Sequence, residues 1–233
     1  MEARSVLQFL QWHSENDSAA MFRGQLDSGW SLVPSIVRYS NLISDGYDAI
    51  EHIEEHLIEQ FEQFSVPFGD YRKHTYIEKL IHAQHFGLPT RLLDWSTNPL
   101  KALYFSVDNP ANDNADGVVF ALEPAGWWEG TKQVKLDQDL AAFYPETINE
   151  RVVAQEGAFI SFPLPDKGFV VPELTEANYQ KDIVFISSVI IPASSKKDIR
   201  IQLSRLGVNQ RSIYPGLEGV ARWVKSNLSH FIV

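Results

Sequence analysis

The chain of 233 residues contains no cysteine. That excludes disulfides, thiolate zinc sites, iron–sulfur clusters and a cysteine nucleophile, and it fits a reducing compartment. Excess positive charge is also missing: 20 Lys and Arg stand against 30 Asp and Glu, for a net charge of −10. Phosphate-backbone binding is driven by Lys and Arg that displace counterions, so general nucleic-acid binding is disfavoured. A small, locally basic site for one nucleotide survives this argument. No run approaches the roughly 20 apolar residues of a membrane span. Met1-Glu2-Ala3-Arg4 lacks the basic-then-apolar order of a signal peptide. The expectation is a soluble, cytoplasmic protein with no membrane partner. Fixed-period repeats, a P-loop, a Rossmann glycine fingerprint, a G-x-S-x-G elbow and an H-E-x-x-H helix are all absent.

What remains suits one domain. Apolar residues between Ala3 and His13 predict an opening helix, and Met21 to Gln25 a strand running into a turn. From Gly46 to Ser65, Tyr47, Ile50, Ile53, Leu57, Ile58, Phe61 and Phe64 recur at helical spacing. Glu51, Glu54, Glu55, Glu59 and Glu62 are expected on the opposite, solvated face. A helix from Thr75 ends near Gly87, Leu88 to Trp95 reads as a loop, and Thr97-Asn98-Pro99 opens a helix through Val107. Strands follow at 118–122, at 152–162 with an interruption at Gly157, and at 183–191. Helices are expected from Ser194 or Ser195 to Leu206 and from Leu217 to Leu228. Helices first and strands later, without alternating units, give an α+β class.

Three segments are richer in polar specificity than packing requires. In Phe22-Arg23-Gly24-Gln25, followed by Trp30, Pro34-Ser35 and Arg38, an arginine on an apolar strand must be paired or must face a ligand. A glycine after it lets a backbone or a ligand approach closely. In His82 to Pro99, a rigid loop joins a helix end to a helix start. Helix-start N–H groups, the Arg91 fork and the hydroxyls of Ser96 and Thr97 suit a phosphate-sized anion. The local alternative pairs Arg91 with Asp94 and makes Thr97 a cap. His82 and His85 have no third ligand at metal spacing, so no metal is expected. His85 is read as hydrogen-bonding beside the loop, and His82 as exposed. In Arg151 to Phe159, Gln155 or Glu156 at a strand edge suits a carboxylate or amide beside a sugar-like transition state, or a solvated edge.

At these residues a family resemblance appears. Phe22-Arg23-Gly24-Gln25 with Trp30 and Pro34-Ser35 resembles the motif that names the FRG domain. Gln84 to Leu100 resembles its central signature. Arg151, Gln155, Gly157 and Phe159 resemble its third block, and Ser212 to Gly219 its closing motif. The resemblance implies one FRG-type domain over 1–233, with an opening helix in 1–20 and a core in 21–228. Its motif order is similar to that of ADP-ribosyltransferases. This implies a helical N-terminal half packed on a mostly antiparallel, split β-sheet, and NAD as substrate. The implied NAD-binding residues are Arg23, Gly24, Gln25, His85, Thr90, Arg91, Asp94, Trp95, Ser96, Thr97 and Phe159, with Glu156 and Gln155 as the catalytic pair. Trp95 or Phe159 would wall the nicotinamide. The implied activity is transfer of ADP-ribose to an unknown macromolecular acceptor, in a bacterial or phage toxin or defence setting with an antitoxin or defence-system partner protein. The rival is a non-catalytic nucleotide-binding or protein-interaction module using the same anion pocket. A third reading gives the acidic helix of residues 46–65 a regulatory protein partner.

Overall fold

A computed structural model describes residues 1–45, 47–128, 130–131, 136, 139–146, 149–226 and 228. Gly46 and Asn227, at the expected ends of two helices, lie outside the described residues. The elements run α1 (Val6–Ser14), β1 (Met21–Gln25), α2 (Ile50–Ser65), α3 (Tyr76–His85), β2 (Leu92–Ser96) and α4 (Pro99–Phe105). Next come β3 (Gly117–Pro124), β4 (Trp127–Trp128), β5 (Ala141–Phe143), α5 (Glu150–Ala154), β6 (Gly157–Ser161), β7 (Ile183–Ile191), α6 (Lys196–Arg205), α7 (Gln210–Ile213) and α8 (Leu217–Ser226). A long 3-10 segment, Ser35–Asp45, precedes α2.

The strands form one curled mixed sheet in the order β4-β5-β6-β2-β1-β3-β7. Every pairing is antiparallel except β4 with β5. The α+β class holds. Its division into a helical half and a strand half does not, because β1 and β2 from the first half form the middle of the sheet. That middle is also the weakest seam. β1 runs in full register with β3, and β2 with β6, yet β1 and β2 meet only at Phe22 opposite Ser96.

Side-chain alternation along β1 divides two of the three hydrophobic clusters among the described residues. Met21 packs with Ile36, Ile50 and Ile53 on one face, while Phe22 packs with Ala102, Leu103 and Phe9 on the other. Gly24 follows from that second face. A Cβ there would lie 1.9 Å from the Ala102 carbonyl oxygen and 2.7 Å from the Ser106 nitrogen, so α4 seats directly on the strand. The close approach is by backbone.

Three local readings are corrected. Leu92–Ser96 is a strand, because Leu92 to Ser96 pair with Ser161 to Gly157 of β6. Ser96 therefore ends β2 and Thr97 lies in the turn. The cap of α4 is Asn98, whose side chain accepts from the Leu100 and Lys101 N–H groups. The stretch around Val152-Val153 is helix α5, capped by Asn149, and the strand begins only at Gly157.

Candidate functional site

Where β1 and β2 part, a cleft of about 390 Å³ opens, within the range of small-ligand sites. One wall is β1 with the turn after it, Arg23, Gly24, Gln25, Leu26 and Trp30, joined by Arg38 of the 3-10 segment. Asp94, Trp95, Ser96 and Phe159 come from the β2–β6 side, and Gln84 and His85 from the end of α3. The far end is closed by Asp108, Asn149, Arg151, Gln155 and Tyr214.

Arg23 holds the seam. Its Nη1 donates to the carbonyl oxygen of Asp94, standing in for ladder bonds that the strands do not make. Burial lowers its pKa, opposed by the Asp94 carboxylate and reinforced by the like charge of Arg38. A guanidinium remains cationic through such shifts. Its Nε is buried and has no partner.

That orphan donor has company. Among the described residues, Gln25 Oε1, Trp95 Nε1 and Asn149 Nδ2 are likewise buried without a partner, and all three side chains line this cleft. Gln25 and Trp95 are 6% and 4% exposed, so neither is routinely solvated. Arg23, Gln25 and Trp95 lie on one face of the sheet by alternation, with Met21 and Leu93. Buried polar atoms in native proteins are nearly always satisfied, so a group of orphans around one cleft marks a place for ligand polar atoms or water.

Supporting residues fix the rim. Gln84 Nε2 donates to Asp94 Oδ1 at 2.7 Å, and Thr90 Oγ1 donates to Gln84 Oε1. Thr90 is fully buried behind the cleft and orients Gln84. At the far end, the hydroxyls of Tyr104 and Tyr214 both donate to Asp108, the latter at 2.8 Å. Burial and Asp108 push both phenols upward, so they stay donors. Arg222 and Arg151 lie over the Tyr214 ring at 4.2 and 5.3 Å. Phe159 stacks on Phe143 at 5.8 Å.

Four expected site residues fall elsewhere. Arg91 is 1% exposed and is consumed by an internal ion pair. Its backbone N and Nε donate to Glu54 at 2.6 and 2.5 Å, and its Nη2 to Glu51 at 3.2 Å. Burial alone would lower its pKa; Glu54 and Glu51 raise it. Neither the anion role nor the pairing with Asp94 describes it. Glu54, expected on the solvated face of α2, is instead fully buried on the other. Thr90 acts behind the wall through Gln84.

Thr97 and Glu156 form the third correction. The Thr97 N–H donates to the Glu156 carbonyl at 2.9 Å, locking the β2–α4 turn onto the turn before β6. The Glu156 carboxylate accepts from Lys101 Nζ at 2.7 Å and Asn98 Nδ2 at 3.1 Å, which lowers its pKa. It does not line the cleft. Its φ of 48° is a left-handed backbone uncommon outside glycine. That turn aims Glu156 outward and leaves Gln155 in the cleft wall, where its carbonyl accepts from Ser96 Oγ at 2.7 Å. The anion site expected at the α4 start is filled by Asn98 itself.

His85 lines the cleft at the end of α3. His82 is half-buried, with its ring against Tyr71 and His74 at 4.9 and 5.0 Å. Both pKa values are lowered, chiefly by burial, with the nearby charge of Arg151 added at His85 and the histidines His74 and His85 at His82. The unfolded chain therefore takes up these protons first, and stability falls as pH drops through about 6.5. Melting of the wild type at pH 7.5 and 5.5 checks this: the lower pH should give the lower Tm, and His85→Gln should narrow the gap. A gap unchanged by His85→Gln contradicts it.

Among the described residues, no group of three or more His, Asp or Glu is arranged to hold a metal, and no helix is long and apolar enough to cross a membrane.

The fold and cleft define an α+β domain built around an arginine-bearing seam in its sheet. The FRG domain family's sequence model matches residues 18–115. The match takes in β1, α2, α3, β2 and α4, hence both sides of the seam. β3 to β7 and α5 to α8 lie beyond it. No curated protein and no solved structure matches the chain.

Proposed function

We propose that the cleft binds NAD as a substrate and transfers its ADP-ribosyl group to an acceptor. One observation carries this reading: unpartnered buried polar atoms of Arg23, Gln25 and Trp95 converge where β1 and β2 part. Arg23, with Arg38 beside it, suits the diphosphate by charge and fork geometry. The orphan acceptor of Gln25 and the orphan donor of Trp95 suit a neutral planar group with its own donor and acceptor, such as a carboxamide or a base edge. Trp95 and Phe159 supply apolar walls.

In the transfer, the bond between the ribose C1′ and the nicotinamide nitrogen breaks. Nicotinamide leaves with the bonding pair, and an acceptor nucleophile bonds to C1′ and releases its proton to solvent. In this reading Gln155, which lines the cleft with its Nε2 donating to the Ile213 carbonyl, orients the ribose. Glu156 acts one step removed, through its clamp on Lys101 and Asn98, as a positioning residue. The toxin or defence setting and its partner protein belong to the same proposal.

A non-catalytic binding module is the second reading. It is favoured by the engagement of Glu156 with Lys101 outside the cleft. Calorimetric titration with NAD and ADP-ribose, with nicotinamide release followed in parallel, separates the two. Binding with release that Gln155→Ala abolishes supports transfer. Saturable binding without release favours the module. No binding at millimolar NAD overturns both as nucleotide readings.

A further inference from the structure

Alternation along β1 and β2 puts the cleft on both faces of the sheet. Arg23, Gln25 and Trp95 stand on one face, with Met21 and Leu93. Phe22 and Ser96, which face each other across the strands, stand on the other with Asp94 and its partner Phe159. The two strands meet only at Phe22 and Ser96, so the cavity passes through the sheet where they part. Arg23, Gln25 and Trp95, which carry the NAD reading, belong to the first face. On the second face the cavity ends in a chamber of its own, formed by Asn149, Arg151 and Gln155 with His85, Asp108 and Tyr214.

The polar groups of that chamber are one-sided. Among the described residues, the Arg151 side chain makes no hydrogen bond and no ion pair; it only lies over the Tyr214 ring, at 5.3 Å. Asn149 engages its Oδ1 with the Val152 N–H at 2.9 Å, while its buried Nδ2 has no partner. The acids here are already engaged. Asp108 accepts from the hydroxyls of both Tyr104 and Tyr214, and Glu218, whose charge reaches His85, accepts from Arg222 at 2.7 Å. His85 is held neutral near pH 7, by burial first and then by the Arg151 charge. Spare donors beside engaged acids call for a group that only accepts. With one uncommitted guanidinium beside Asp108 and Glu218, one negative charge fits better than two. The first face differs, because its orphan donors stand with an orphan acceptor, Gln25 Oε1.

We propose that the second-face chamber binds a carboxylate, held by the Arg151 fork and the Asn149 amide, and that this carboxylate anchors the acceptor by a group other than its nucleophile. Only the acceptor role rests on the transferase reading; carboxylate binding does not. The planar fork matches a carboxylate bidentately. Arg151 and Gln155 are one turn of α5 apart, with the Gln155 N–H donating to the Arg151 carbonyl at 2.9 Å. Gln155 is in turn tied to Ser96, at the crossing point of the sheet, at 2.7 Å. A molecule anchored at Arg151 therefore lies beside the residue assigned to the ribose.

Titration of the full chain with sodium acetate at constant ionic strength, without NAD, tests the site. The signals are the Asn149 side-chain amide and the Arg151 Nε–H in proton–nitrogen correlation spectra, assigned with Asn149→Ser and Arg151→Lys. Both should shift saturably, with a millimolar Kd that Arg151→Gln raises roughly tenfold or more, the worth of a charge-assisted hydrogen bond. Arg151→Lys should keep part of the affinity through its charge. Tighter binding of N-acetylglutamate amide than of acetate identifies an acidic side chain of a protein as the source, and the reverse order a small acid. Either order carries the carboxylate assignment. No saturable shift up to about 100 mM acetate overturns the proposal. So do shifts confined to Trp95 on the first face, binding indifferent to Arg151→Gln, or tighter binding of inorganic phosphate at pH 8 than of acetate. Acetate binding in a chain that does not bind NAD removes the transferase reading and leaves the carboxylate site standing. NAD binding in a chain that does not bind acetate removes this site alone.

Discussion

Replacing Glu54 with alanine is expected to destabilise the fold by about 3–5 kcal/mol, the range for breaking a buried ion pair from one side. Glu54 is 0% exposed, and its carboxylate accepts from both the backbone N and the Nε of Arg91. Removing it leaves a 1%-exposed guanidinium with the Leu136 carbonyl at 3.3 Å and one carboxylate, Glu51, at 3.2 Å and 28% exposed. The loss also reaches β2, because the bond to the Arg91 N–H anchors the residue directly before that strand. At about 2–4 °C per kcal/mol for a chain of this size, Tm should drop by roughly 6–20 °C. Arg91→Met in the same chain should recover much of it, since it removes the unpaired charge and keeps the volume. Thermal melting by circular dichroism decides the matter. A drop below about 1 kcal/mol in Glu54→Ala would mean that Arg91 finds other partners, and would reopen the anion role that its sequence context suggests.

The second large effect concerns Arg23. If the cleft holds a diphosphate, Arg23→Ala should weaken NAD binding by about 30-fold or more, because truncating one partner of a hydrogen-bonded charge pair costs about 2–5 kcal/mol. Arg23→Lys should keep part of the affinity through its charge while losing the fork. A stability control is essential, since Nη1 also bridges β1 to the Asp94 carbonyl. A large fall in Tm with unaltered affinity would assign Arg23 to the seam alone. Weakened binding with a modest fall in Tm assigns it to the ligand.

The contrast between these two arginines shows what the sequence reveals. Both stand in dense motifs, and both read as anion contacts. The partner that claims Arg91 is 37 residues earlier, on α2. The signal lies in α2, where Glu54 follows Ile53 and precedes Ile58 by one helical turn, on the buried arc. An acid on that arc announces a buried cation elsewhere.

Strands β1 and β7 were legible from their composition and their flanks. β2 was not: Leu92 and Leu93 are both buried, on opposite faces, which hides the alternation that exposed Asp94 and buried Trp95 complete. Its identity comes from pairing with β6, a long-range fact. Helix α5 reads as a strand because Val152 and Val153 favour strands, but Asn149 caps a helix there. Asp108 and Asn149 reach the cleft through tertiary contacts that no local signal carries, whereas Gln84 opens the central motif. Arg38, Arg151 and Tyr214, by contrast, stand in segments that the motifs had marked.

The most direct test of the cleft as the ligand site is the indole N–H signal of Trp95 in a proton–nitrogen correlation spectrum during NAD titration, assigned with Trp95→Phe. Its donor is buried and unpartnered in the free protein, so a ligand acceptor arriving there should shift it strongly. Trp30, also in the cleft lining, should move with it, and Trp12, on the buried face of α1, should stay. A Trp95 signal that stays fixed at millimolar NAD, or shifts confined to Trp12 and Trp223, would contradict the assignment.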